Sequence, residues 1–166
     1  MNSFVRPFCG TLVLLNIACA APEITEPSGA IVPITRFRSE PYSFAFYSGF
    51  DKPARLAVRD ALTWQMVWTQ IYQGQSPTPP LPPIDFSRDM IIVAALGARS
   101  TGGYRILIDE AHDAANNAIE VAIRSVSPGP SCPVTEAFTQ PIDVARMPRS
   151  NAAVHFVEST DVAHCG

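Results

Sequence analysis

The sequence predicts a mainly β domain of the α+β kind: an antiparallel sheet or sandwich of about six strands with one packed helix. Three observations carry this. Short stretches of period-two alternation recur between turn-forming clusters. One segment alone shows helical spacing with stop and start signals. Sixteen prolines among 166 residues argue against a helical bundle, because proline removes a backbone donor and fixes φ.

Along the chain, Tyr42, Phe44 and Phe46 alternate with Ser43, Ala45 and Tyr47, a strand with an aromatic face. Asp60 to Gln73 (DALTWQMVWTQIYQ) predicts the helix, capped by Asp60 and ended by Gly74. Trp64, Val67, Trp68 and Ile71 share one of its faces, which reads as core packing against a sheet rather than a carbohydrate or cofactor platform. Ser76 to Pro83 (SPTPPLPP) must be extended. Its spacing of Pro77, Pro80 and Pro83 matches groove-binding polyproline ligands, but the segment reads as a stiff connector that launches the next strand from Ile84-Asp85-Phe86.

Met90 to Leu96 (MIIVAAL) is an unbroken apolar run, hence a strand buried on both faces. Tyr104 to Asp109 and Ile119 to Arg124 alternate around the polar break AHDAANN, whose acidic cluster Asp109, Glu110, His112 and Asp113 reads as a solvated hairpin tip. Ile142 to Met147 and Ala153 to Val157 supply two more strands around the turn Pro148-Arg149-Ser150-Asn151.

The bulk numbers narrow the function. With 47% apolar and 16% charged residues the chain can bury a core. A formal charge of -3 and a single lysine, Lys52, offer nothing to neutralise phosphates, so no nucleic-acid partner is expected. Residues 1–20 read as a signal peptide: Arg6 precedes the apolar run Phe8 to Ile17, which is too short to span a bilayer. Two processing readings stand side by side. Ala18-Cys19-Ala20 satisfies a peptidase site for a secreted product, while Leu15 to Cys19 resembles a bacterial lipobox in which Cys19 is lipidated and attaches the chain to a membrane. Either way the protein is exported, to the cell envelope or beyond it. Residues 21–40 then form a tether or first strand, and 41–166 a single globular domain. Cys132 and Cys165 remain as the mature cysteines, and in an oxidising compartment they most simply form one disulfide, stabilising by roughly 3–4 kcal/mol.

Catalytic patterns are missing. Gly97 to Gly103 has the gap of a phosphate-binding loop, but Gly103-Tyr104 stands where Lys-Ser/Thr is required. Ser100 lies outside a G-x-S-x-G elbow. His112, His155 and His164 show no metal-ligand spacing with the cysteines, and His155 is the one histidine inside a predicted strand. No metal or cofactor site and no catalytic residue is predicted. What stands out is ARSTGGY at 98–104, where paired glycines either shape a turn or let another backbone come close.

Asp85 to Met90, the run Ile91 to Leu96, Gly97 to Tyr104, Thr139-Gln140-Pro141 and Arg146-Met147-Pro148-Arg149 together resemble the C-terminal domain of the PrcB family. The resemblance covers roughly Asp85 to Phe156, and the helix with Trp64 and Trp68 resembles the segment preceding that domain. Ser100 stands where members often carry proline. The resemblance implies a PrcB-like, non-catalytic accessory protein that stabilises or modulates an exported protease complex. Arg99, Ser100, Thr101, Gly102, Gly103 and Tyr104 would form its contact loop, with the glycines exposing backbone and Tyr104 as anchor. The loop is also similar to the N-P-T-T-G-Y loop of chagasin-like cysteine-protease inhibitors, whose tryptophan-bearing second loop has no counterpart here. A structural envelope lipoprotein, in which TGGY serves folding alone, is the remaining alternative.

Overall fold

The computed structural model describes residues 29–37 and 47–165. The expected signal peptide with Cys19, most of the expected 21–40 tether and the alternation of Tyr42, Phe44 and Phe46 lie outside the described residues. Within them the chain forms β1 (Thr35–Arg36), β2 (Ala54–Val58), α1 (Ala61–Ile71), β3 (Asp89–Ala95), β4 (Arg105–Ala114), β5 (Ala118–Pro128), β6 (Ile142–Pro148) and β7 (Ala153–Ala163). One sheet has the order β1-β6-β3-β2 and the other β4-β5-β7. The predicted class therefore holds: two sheets and a single helix.

Three layers result, and β3 shows why. Its side chains alternate between two separate cores. Met90, Ile92 and Ala94 face the second sheet, packing with Ile106, Ile108, Val121 and Ile123. Ile91, Val93 and Ala95 face the helix, packing with Trp64, Trp68 and Ile71. An unbroken apolar run is what a strand needs when both of its faces are covered. All six of these residues are 0% exposed.

The helix begins where Asp60 accepts a hydrogen bond from the Thr63 amide at 2.8 Å. It ends at Tyr72 and turns through Gly74 at φ 78°, where a side chain would be strained. Its tryptophans are core residues, 1% and 3% exposed. Each indole N–H reaches the proline-rich connector: Trp64 donates to the Pro82 carbonyl at 3.3 Å and Trp68 to that of Pro79 at 3.0 Å. The connector is thus a strap across the helix, and its extended backbone leaves carbonyls free to satisfy buried indoles.

Two expectations are corrected. The acidic cluster is not a hairpin tip, because β4 runs on to Ala114 and the turn is made by Asn116 and Asn117 at φ 59° and 55°. Asparagine is among the few residues that adopt this left-handed backbone readily. Nor is every ladder antiparallel, since β5 and β7 pair in parallel from Ala118↔Ala153 to Pro128↔Ala163. The chain leaves β5 for the other sheet, runs back as β6, and reverses again at the corner after Pro148. Two reversals restore the direction.

Candidate functional site

The loop after β3 is held from behind. Leu96 donates its amide to the Pro141 carbonyl at 2.8 Å, and Ala98 donates to Asp51 at 3.0 Å. Gly97 adopts φ 79°, and a β-carbon there would come within 2.9 Å of Pro53. Arg99 and Thr139 exchange backbone hydrogen bonds at 2.8 and 3.0 Å, while the Thr139 hydroxyl donates to the Thr101 carbonyl at 2.9 Å. The Gly102 amide donates to Thr135 at 2.9 Å.

The paired glycines therefore face inward partners. Gly102 is buried, and a side chain there would collide with the Thr135 hydroxyl. Gly103 has φ 87° and lies 3.0 to 3.2 Å, measured from a built β-carbon, from Pro128 and Val134. They let the 98–104 loop lie against the 129–139 loop. Their backbone is not offered to solvent at Gly102, against the expectation that both glycines expose it.

The backing loop is itself anchored. Cys132 and Cys165 form a disulfide with 33 residues of separation and Cα atoms 4.9 Å apart. Gly129 donates its amide to the Ala163 carbonyl at 3.0 Å, and the Ser131 hydroxyl donates to that of Cys165 at 2.9 Å. The loop is thereby tied to the end of β7.

Of the predicted contact residues, Ser100 and Gly103 are exposed, Gly102 is buried, and Arg99, Thr101 and Tyr104 are half-buried. The Arg99 guanidinium sits 5.6 Å from the centre of the Tyr104 ring, so the ring has one face already occupied. Arg99 and Tyr104, with Leu96, Val126, Thr160 and Asp161, line a small cavity of about 120 Å³. Ligand pockets usually start near roughly 300 Å³, so this space suits one side chain rather than a small molecule. Sequence reasoning missed Phe138, which is 76% exposed in the backing loop beside the Arg99–Thr139 bridge. Val134, 38% exposed, projects from the same loop. A lone aromatic in a proline- and threonine-bearing loop between strands was the available signal.

The charged groups at the β4 bulge pair with one another. At the β4 bulge, between Ile108 and Glu110, Asp109 accepts both arms of Arg124 at 2.6 and 3.0 Å. That carboxylate raises the Arg124 guanidinium above its ordinary value. Arg36 reaches from β1 to the Ile108 and Asp109 carbonyls and to the buried Asp143 carboxylate at 3.5 Å. Asp143 in turn accepts the Ile108 amide at 2.9 Å. A chain of alternating charge, Asp143-Arg36-Asp109-Arg124-Asp161, thus seals the bulge across both sheets.

His112, not His155, is the histidine buried in a strand, with Nε2 3.3 Å from Glu110. His155 is exposed on β7. Among the described residues no group of three or more His, Cys, Asp or Glu is arranged to hold a metal ion.

Residues 90–148 match the family model described as PrcB C-terminal. The matched stretch runs from β3 through β6 and contains both the 98–104 loop and the 129–139 loop that backs it. No curated protein and no solved structure matches the chain.

Proposed function

We propose that this chain, whose residues 90–148 form a PrcB C-terminal type of domain, is an exported, non-catalytic accessory protein of a protease complex. It binds its protein partner through the rim made by residues 99–104 together with Val134 and Phe138. Export rests on the N-terminal segment, with attachment through a lipid on Cys19 or release at the neighbouring alanines.

One observation carries the binding role: a large aromatic side chain, Phe138, stands 76% exposed on a loop that is pinned by a disulfide and by backbone bonds. A pinned loop loses little entropy on binding, and a projecting aromatic is the usual energetic centre of an interface. Tyr104 is the lesser anchor because Arg99 covers it. The two tryptophans do not contribute, being buried under the proline strap, which leaves an inhibitor of the chagasin type without its second loop.

Phe138→Asp separates binding from folding, whereas glycine substitutions in the loop would disturb packing as well. The variant should keep the thermal midpoint of the parent and lose partner affinity by roughly 30-fold, the effect of an interface centre worth about 2 kcal/mol. Undiminished capture of the protease complex by a folded Phe138→Asp protein would remove the rim from the site.

A further inference from the structure

Strand β7 is an edge. Among the described residues it pairs with β5 alone, over eleven residues and without a register shift. Long regular edges are normally blunted by proline, charged side chains or a bulge, since their unpaired amides and carbonyls recruit another strand; here the two carboxylates, Glu158 and Asp161, are each paired with an arginine of the same chain. Residues 153–163 contain no proline and no lysine, and Val157 and Val162 are 50% and 52% exposed.

About Glu158 the two outermost pairs of this edge repeat, Ala153 with Ala163 and Val154 with Val162, and His155 stands where its mirror position carries Asp161. Two antiparallel copies related by a two-fold axis at Glu158 would bring Ala153 opposite Ala163 and Val154 opposite Val162. His155 would then meet Asp161 of the second copy, twice, on the outer face, with Asp161 also accepting from Arg124 of its own chain at 3.4 Å. Val154 and Phe156 pack on the inter-sheet core, so the Val154–Val162 and Phe156–Thr160 pairs would continue that core across the axis. The unfavourable pair is Glu158 with its own copy. Each is neutralised by Arg55, which donates to its two oxygens at 2.6 and 2.9 Å.

We propose that β7 pairs with β7 of a second copy of this chain in that register, fusing the two three-stranded sheets into one. This self-association stands independently of the rim.

The full exported chain should sediment as a concentration-dependent dimer. His155→Asp, which sets like charges opposite each other at both ends, should weaken the dimer roughly tenfold, and His155→Asp with Asp161→His should restore it. Register is read by cysteine crosslinking. Residues facing each other across antiparallel strands have Cα atoms about 4.5–5.5 Å apart, within disulfide reach. Glu158→Cys should therefore link two chains under mild oxidation. Val157→Cys should not, because its copies lie about 8 Å apart. A monomer at every concentration, equal crosslinking of both variants, or no recovery in the charge swap would each overturn the proposal.

Discussion

Strands β3 and β7 occupy opposite situations in the same small molecule. β3 lies between β6 and β2 with a helix on one face and a sheet on the other, and from Met90 onward its residues are buried. β7 lies at a margin, with Val154 and Phe156 half-buried and most of the remainder exposed. Burial makes the first strand nearly all apolar and tells nothing of its neighbours' identity. Exposure leaves the second free to carry polar groups, with His155 and Asp161 placed evenly about Glu158. The buried strand carries the packing, and the exposed one carries the charged and polar groups.

That contrast can be broken by substitution. Ile92→Ala deletes buried atoms between the sheets and should cost about 2–5 kcal/mol in urea unfolding. Replacing Cys132 and Cys165 by serine should cost about 2–4 kcal/mol and open the backing loop first, seen as faster amide exchange at Gly129 and Gly102. Val157→Ser, at the exposed edge, should change the unfolding free energy by less than about 0.5 kcal/mol. If Val157→Ser cost as much as Ile92→Ala, β7 would be part of the core and the contrast would fail.

Much of the interior was legible. MIIVAAL announced a doubly covered strand because only apolar residues survive two buried faces. The helix was legible because Asp60, the tryptophan spacing and Gly74 each act locally. The parallel pairing of β5 with β7 was not, since it depends on the excursion through β6 in the other sheet. The second half of β7 was missed because Glu158, Ser159, Thr160 and Asp161 carry an edge's polarity, which reads as a loop. At the rim, the position of the turn was plain from Gly102 and Gly103. Their partners, Thr135 and Pro128, are distant in sequence, so the purpose of the glycines emerged only from the packing. Phe138 was overlooked because a lone exposed aromatic has no periodicity.

The rim is tested most directly by placing a photo-reactive amino acid at position 138 in cells that export the chain, with a second variant bearing it at Met66 on the exposed face of the helix. Illumination should attach position 138 to a protease or a protease-complex subunit and leave position 66 without that adduct. Equal labelling at both positions, or no protease adduct at 138 in a protein that retains its Cys132–Cys165 bond, would contradict the assignment of the rim as the binding face.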